Sequence, residues 1–183
     1  MERSTLIHTY HAIEYNPTVE KVFPHFMIRM IVACARNRVM GAGGTLPWKI
    51  QADWDYFLET TRDDVLLMGR RCYEDFTEHA AFRKVVVLSR DPEIQFIHGE
   101  KAGNLADGLV LAQSMGKNTW ICGGENIYRE AMPLAEELYL TRIDQDYTGD
   151  TLFPPWEEFF TKEISRKEMI TEGKRLTFLI LGK

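Results

Sequence analysis

Short apolar runs that alternate with helical patterns constrain the fold of this chain more than any other feature of its sequence. The apolar runs lie at residues 30–35, 65–68, 85–88 and 119–122. The segments with helical spacing among and after them are 51–62, 69–76 and 125–132. Runs of this length are typical of strands buried on both faces of a sheet, and such strands need helices as cover. The alternation therefore predicts an α/β fold with a mainly parallel sheet and helices on both faces.

The C-terminal third makes the predicted sheet mixed. A strand is expected at 137–143, and segments 158–170 and 175–182 read as a C-terminal antiparallel hairpin around Glu172-Gly173-Lys174. The variable stretch 92–117 is expected to hold a short strand and a helix at about 104–115. No internal repeat or linker divides the pattern, so it predicts a single domain over residues 30–183.

Residues 1–29 form a separate N-terminal extension in this interpretation. They are rich in His, Tyr, Phe and Pro and follow neither the helical nor the strand period. Met27 and Met30 are both plausible first residues of the domain. A disordered leader and a misplaced start codon are therefore both open as explanations.

Charge and cysteine content exclude several classes of protein. The net charge of −5 comes from scattered acids and bases, which argues against a nucleic-acid surface or an anionic membrane as partner. Three widely spaced cysteines without a C-x-x-C pair favour free thiols in a reducing cytoplasm, and the five histidines form no metal-binding motif. No run approaches the ~18 apolar residues of a membrane span.

Basic and glycine-rich residues follow three of the predicted strands. Arg70 and Arg71 open a helix, where cations oppose the helix dipole unless an anion lies between them. Ser89-Arg90 and Gly123-Gly124 follow the next two strands, and the glycines would let the backbone approach a phosphate. Each feature alone also fits a solvated surface, an ordinary loop or a tight turn. Together they predict a nucleotide with an additional ribose phosphate, as in NADP.

Asp53 is the candidate substrate ligand. At the start of a helix, its ordinary role is that of a cap or dipole partner. However, its neighbours Trp48, Trp54 and Phe57 are aromatic, and the local sequence offers no cation to pair with it. A buried carboxylate without a partner is costly, so we expect a flat heterocycle with an amidine-like edge to pair with Asp53.

The order and spacing of several motifs resemble the dihydrofolate reductase family from about residue 30 to 153. The motifs are Val39-Met40-Gly41, Leu46-Pro47-Trp48, Asp53-x-x-x-Phe57, Met68-Gly69-Arg70, Leu88-Ser89-Arg90, Ile121-Cys122-Gly123-Gly124-x-x-Ile127-Tyr128, Tyr139-Leu140-Thr141 and Gly149-Asp150-Thr151-x-Phe153-Pro154. The resemblance implies reduction of 7,8-dihydrofolate to tetrahydrofolate, with hydride transfer from NADPH to C6 and protonation at N5. We also expect a cytoplasmic enzyme that acts as a monomer and needs no metal.

The resemblance assigns roles to individual residues. Asp53 would bind the pterin ring and raise the basicity of N5 for a proton that water delivers, with Thr141 as its hydroxyl partner and Trp48 holding an ordered water. Arg83 would pair with the α-carboxylate of the substrate's glutamate. The remaining substrate residues implied are Ile31, Val32, Leu46, Phe57, Cys122 and Tyr128.

The cofactor site implied by the resemblance runs along the same sheet edge. Arg70, Arg71, Ser89 and Arg90 would bind the ribose and its phosphate, and segment 41–46 would close over the nicotinamide as a mobile loop. The peptide bond between Gly123 and Gly124 is expected to be cis. The other implied cofactor residues are Ala33, Met40, Gly44, Thr45, Leu46, Gly69, Cys72, Leu88, Cys122, Glu125, Asn126, Ile127 and Tyr128.

Departures from the family pattern keep two rivals open. Cys72 stands where the family usually has Thr, Cys122 where Ile or Val is usual, and Trp54 is bulkier than the common Leu or Met. Segment 77–82 lacks the usual Pro and Gly, which weakens the expected contacts to the benzoyl-glutamate tail. The rivals are a related reductase of the riboflavin pathway, disfavoured by Asp53 and Trp48, and a non-catalytic NADPH-binding module.

Overall fold

The computed structural model describes residues 26–116 and 118–183, and these contain two sheets and four helices. In chain order the elements are β1 (Ile28–Ala35), β2 (Val39–Gly41), α1 (Gln51–Thr60), β3 (Val65–Gly69), α2 (Arg70–Ala80), β4 (Lys84–Leu88), β5 (Glu100–Ala102), α3 (Leu105–Ser114), β6 (Thr119–Ile121), α4 (Glu125–Ala131), β7 (Glu137–Ile143), β8 (Thr151–Leu152), β9 (Lys162–Thr171) and β10 (Lys174–Gly182). Residues 1–25 of the predicted extension lie outside the described residues, and residues 28 and 29 belong to β1.

The main sheet has eight strands in the order β5-β4-β3-β6-β1-β7-β10-β9. The first six are mutually parallel, whereas β10 is antiparallel to β7 and β9 is antiparallel to β10. The predicted mixed, mainly parallel sheet with a C-terminal hairpin is therefore confirmed. β1 lies between β6 and β7, with Met30 opposite Ile121 on one side and Leu138 on the other.

Alternate side chains of the strands face two different helical layers. Ile31 and Leu66 pack in a core with aromatic residues of α1 and α2. Their neighbours Met30 and Leu67 pack in the opposite core, which α3 and α4 cover. This alternation confirms helices on both faces and explains why the strands read as continuous apolar runs. Among the described residues, no helix is long and apolar enough to cross a lipid bilayer.

Two predicted boundaries differ from the observed ones by four residues. Helix α2 continues to Ala80 instead of ending near Phe76, because segment 77–80 has no Gly or Pro and the Thr77 hydroxyl donates to the Tyr73 carbonyl at 2.9 Å. The first strand of the hairpin starts at Lys162 and not at 158. Residues 157–159 form a turn in which the Trp156 carbonyl accepts backbone hydrogen bonds from residues 159 and 160.

The small sheet formed by β2 and β8 was not predicted. Its strands have three and two residues, too short to produce a recognisable period. The two segments approach so closely that a Cβ at Gly149 would lie 2.3 Å from the Gly41 carbonyl oxygen and 2.4 Å from a Val39 methyl. Glycine at 149 is therefore required, and the contact fixes the start of loop 41–46 against residues 149–151.

Candidate active site

Asp53 lies in the first turn of α1 and hydrogen bonds with the side chain of Thr141 on β7. Thr141 is 2% exposed, and its strand neighbours are Ala33 of β1 and Phe178 of β10. Burial raises the pKa of Asp53 from 3.8 to about 6, although the Thr141 hydrogen bond lowers it. The fold thus brings together two residues 88 positions apart, as predicted, around a carboxylate in an apolar setting.

Trp48 packs in a third apolar cluster, which also contains Tyr147 and the two strand neighbours of Thr141, Ala33 and Phe178. The ring centroids of Trp48 and Tyr147 are 5.0 Å apart at an interplanar angle of 62°. The Trp48 indole N–H is buried and has no acceptor among the described residues. A buried donor normally has a partner, so this unpaired N–H suits the predicted role of holding an ordered water.

The apolar wall of the site comes from β1 and α1. Ile31 shares a core with Phe57, and its carbonyl accepts a 2.7 Å hydrogen bond from the Tyr128 hydroxyl. This contact fixes Tyr128 of α4 against the central strand. Val32 packs in the core on the opposite face of the sheet, so its side chain does not join Ile31 and Phe57.

The residues of the predicted cofactor edge lie at the carboxyl ends of β3 and β4. Gly69 and Leu88 are register partners at these ends, so the residues that follow them start from adjacent positions. Arg70 opens α2, whose first turn has no acidic residue, and its Nε lies 3.6 Å from the Glu74 carboxylate. Ser89 is half-buried, whereas Arg90 and Arg71 are exposed. This edge can therefore offer several unburied cations to an anionic ligand.

The glycine pair after β6 completes this edge. The Gly123–Gly124 peptide bond is cis, as predicted, and Gly123 has a φ of +111°. The Gly69 N–H donates to the Gly123 carbonyl at 2.8 Å. A Cβ at Gly123 would lie 3.2 Å from the Cys72 sulfur, so a side chain here would crowd the groove between α2 and α4. Burial raises the pKa of the neighbouring Cys122 thiol far above its usual range.

The first turn of α4 borders the same groove. Ile127 packs against Gly69, since its Cδ1 would be 3.0 Å from a Cβ there. Glu125 forms an ion pair with Arg129 at 2.6 Å, and Asn126 is exposed. The predicted residues of this helix therefore lie next to the glycine pair.

Loop 41–46 is held in place by hydrogen bonds at both ends of a tight turn. Ala42 and Thr45 exchange backbone hydrogen bonds, and the Gly43 N–H donates to the Asp150 carboxylate at 3.0 Å. Gly44 has a φ of +94°, and Leu46 is 48% exposed. Met40, just before the loop, is buried. The sequence interpretation gave Asp150 no role, although it stands in the Gly149-Asp150-Thr151 motif.

Arg83 lies at the far end of the site, between α2 and β4. Its Nη2 donates to the carbonyl and hydroxyl oxygens of Thr61, and its Nη1 donates to the Leu58 carbonyl at 3.4 Å. Burial lowers the pKa of Arg83 from its usual value. The anchoring role of Thr61 was not predicted, because no local pattern connects a residue after α1 with one before β4.

A mainly parallel sheet whose edge carries arginines and a glycine pair, together with a largely buried carboxylate, is the arrangement expected of a nucleotide-dependent reductase of α/β type. The dihydrofolate reductase family model matches residues 27–182. The chain is 31% identical over 147 residues to the dihydrofolate reductase of Staphylococcus haemolyticus, covering 80% of this chain and 88% of that protein. It is 36% identical over 148 residues to a type 3 dihydrofolate reductase of Salmonella typhimurium, covering 81% and 91%. The chain belongs to the dihydrofolate reductase family.

A solved structure agrees at the level of the fold. Dihydrofolate reductase from Enterococcus faecalis, complexed with NADP(H) and RAB-propyl, superposes with a TM-score of 0.79 at 24% identity. The match covers 85% of this chain and 95% of that one. The predicted family and fold are therefore both confirmed.

Proposed function

We propose that Asp53, Thr141 and Trp48 bind and orient the pterin ring of 7,8-dihydrofolate, which this family member reduces to tetrahydrofolate with NADPH. The observation that carries this assignment is the buried Asp53 carboxylate, with a pKa of about 6 and one hydroxyl partner. Among the described residues, no salt bridge neutralises Asp53. A pterin presents two N–H donors on one edge, and these match the two oxygens of a carboxylate.

The charge of Asp53 is the chemically useful property of this site. With a pKa of about 6, the carboxylate is ionised at neutral pH, and its negative charge attracts the protonated form of the bound ring. The apolar wall of Ile31 and Phe57 strengthens that interaction, because it excludes water from one side of the ring. A proton for N5 would come from water near the unpaired Trp48 N–H.

We place NADPH at the edge formed by α2, β4 and α4. When bound, NADPH supplies the hydride that reduces C6 of the substrate. Arg70, Ser89 and Arg90 would bind the ribose phosphate from two adjacent strand ends. Gly123 and Gly124 have no side chains, so a pyrophosphate could come close to their backbone. A Cβ at Gly123 would lie against the Cys72 sulfur.

We also propose that the enzyme works in the cytoplasm as a monomer with no metal and no nucleic-acid partner. All three cysteines lie in the described part of the chain, and each is a free thiol. Free thiols suit a reducing compartment. Size-exclusion chromatography with light scattering would measure the oligomeric state directly.

The decisive test is NADPH oxidation followed at 340 nm with and without dihydrofolate. We expect oxidation that depends on dihydrofolate and yields tetrahydrofolate in equal amount. NADPH binding without dihydrofolate-dependent oxidation would support the rival non-catalytic module and contradict the proposal. The assay uses the chain of 183 residues, so that residues 1–25 are present.

A further inference from the structure

Two buried polar groups in the third apolar cluster have no partner in the protein. The Trp48 indole N–H and the Tyr147 hydroxyl are both shielded from solvent, and no described residue forms a hydrogen bond with either. Their rings are in contact, with centroids 5.0 Å apart at an interplanar angle of 62°. Buried donors and acceptors nearly always have a partner, which is either a protein group or an ordered water. Two unpaired groups on contacting rings therefore point to a shared partner.

The cluster that holds both rings lies on the face of the sheet that carries Thr141. Ala33 of β1 and Phe178 of β10 are the register partners of Thr141, and both pack in this cluster. Side chains at paired positions of adjacent strands point to the same face. Because Thr141 bonds to Asp53, the two unpaired groups and the Asp53 carboxylate lie on one side of the sheet.

The backbone of Tyr147 is fixed from outside the cluster. The Asn37 side-chain amide donates to the Tyr147 carbonyl at 2.8 Å, and the Tyr147 N–H donates to the Asn37 side-chain oxygen at 3.4 Å. The ring therefore keeps its place without help from the hydroxyl, and a phenylalanine would pack in the same way. The hydroxyl adds a hydrogen-bonding group at this position and not a packing contact.

The two groups together can orient one water. An indole N–H only donates, whereas a phenol hydroxyl can donate or accept. A water has two acceptor positions, and the Trp48 N–H and the Tyr147 O–H can occupy both. Its own two hydrogens are then left to point to acceptors outside the cluster, such as the Asp53 carboxylate and the substrate. Donation to such a water also polarises it, which makes it a better proton donor.

We propose that Tyr147 is a positioning residue for the proton transfer, because its hydroxyl and the Trp48 N–H hold the water that protonates N5. This inference rests on the proposed function and adds a residue to it. Hydride passes from NADPH to C6, the held water gives a proton to N5 and recovers one from bulk solvent, and NADP⁺ and tetrahydrofolate leave. The reaction consumes one proton from solvent, and the tyrosine itself is neither oxidised nor deprotonated.

Tyr147→Phe tests this assignment because it removes the hydroxyl and keeps the ring. The 183-residue chain is mixed with NADPH and dihydrofolate, and hydride transfer is followed in a single turnover. We expect the rate to fall about fivefold, the scale of one lost neutral hydrogen bond. The Kd values of NADPH and dihydrofolate should stay within about twofold of wild type, since the hydroxyl acts through water. The solvent deuterium isotope effect on hydride transfer should increase, because proton delivery then limits the rate more strongly.

Two further variants separate the loss of the held water from a general disturbance. Tyr139→Phe is the matched control: it removes a hydroxyl that bonds to Glu137 and packs in a different cluster, and it should keep the wild-type rate and isotope effect. Trp48→Phe should be slow by itself. Adding Tyr147→Phe to it should cost little more, because both groups hold one water and their effects are not additive.

A wild-type rate in Tyr147→Phe would overturn this inference, and dihydrofolate-dependent oxidation by the unmodified chain would leave the proposed function standing. Losses that multiply in the double variant, or a Tyr147→Phe loss that appears in Kd and not in the rate, would also overturn it. An unmodified chain that fails to oxidise NADPH with dihydrofolate would contradict the proposed function itself.

Discussion

The Gly43 backbone N–H donates to the Asp150 carboxylate at 3.0 Å, between residues 107 positions apart in the chain. The bond joins loop 41–46 to the segment that pairs with β2. It also holds the pKa of Asp150 below its usual range, because the ionised form is the better acceptor. The position of the loop therefore depends on an acidic residue outside it.

Replacing Asp150 by Ala should weaken this loop position. We expect the rate of hydride transfer to fall by about tenfold, since the family resemblance implies that this loop covers the nicotinamide during the reaction. Stopped-flow fluorescence with NADPH and dihydrofolate measures that rate. Asp150→Asn keeps an acceptor oxygen and should lose less; equal rates in the wild type and the Ala variant would show that the contact has no catalytic effect.

The raised pKa of Asp53 predicts a pH-dependent cost to stability. Between about pH 4 and pH 6 the native state binds more protons than the unfolded state, so stability falls as pH rises through this window. The rise of this pKa from 3.8 to about 6 corresponds to roughly 3 kcal/mol, which we reduce to about 1–2 kcal/mol because the largely buried Asp53 side chain keeps some contact with solvent. Asp53→Asn should therefore be more stable than wild type at pH 7 by that amount, and lose the advantage at pH 4.

Urea unfolding at the two pH values checks this difference. Asp55→Asn serves as the control, because Asp55 is an exposed carboxylate on the same helix that accepts a hydrogen bond from Gln51. A stability gain for Asp53→Asn that is the same at pH 4 and pH 7 would mean that the charge is not responsible.

Arg29 should contribute measurably to stability. Its guanidinium pairs with Glu137 at 3.0 Å and Asp64 at 3.8 Å, and it lies 5.5 Å from the Trp120 ring centre. Because the side chain is 19% exposed, we expect Arg29→Met to lower the free energy of unfolding by about 2 kcal/mol. In the exposed pair with Glu163, Arg166→Met should cost less than about 0.5 kcal/mol. Urea titrations measure both changes. Equal decreases in the free energy of unfolding for Arg29→Met and Arg166→Met would contradict this prediction.

Cofactor preference tests the arginines at the sheet edge. Two charge-assisted contacts from Arg70 and Arg90, partly screened by solvent, should favour NADPH over NADH by about 2–4 kcal/mol, or about 30- to 1000-fold in kcat/KM. The preference should fall with added salt and collapse in the Arg70→Ala, Arg90→Ala double variant. Arg166→Ala, far along the hairpin, should retain it. Equal kcat/KM values with NADH and NADPH in the wild type at low salt would show that neither arginine binds the cofactor.

The sequence predicts the central part of the fold because that part is periodic. Strands β1, β3 and β4 are buried on both faces and read as apolar runs, and Gly123-Gly124 marks a backbone position that a side chain would crowd. The short β2–β8 pair was not visible, since two or three residues carry no period.

The candidate site also combines residues that the sequence identifies with residues that only the folded structure reveals. Asp53 stands out locally as a carboxylate among aromatic residues, and the family resemblance connects it with Thr141. The roles of Asp150 and Thr61 are different, because each depends on a contact between distant segments that only the folded chain creates. The bulk of Trp54 indicated a narrower pocket. Its contacts with Phe57 of α1 and Phe76 of α2 could not be predicted, because they depend on how α2 packs against α1.

The turnover of Asp53→Asn tests most directly whether this buried carboxylate binds the pterin. Asn keeps the shape of the side chain and removes its charge. We predict a loss of at least ~10²-fold in kcat near neutral pH, the scale of a lost positioned acid–base group, with the Kd for NADPH nearly unchanged. Wild-type turnover in the Asn variant would contradict the assignment.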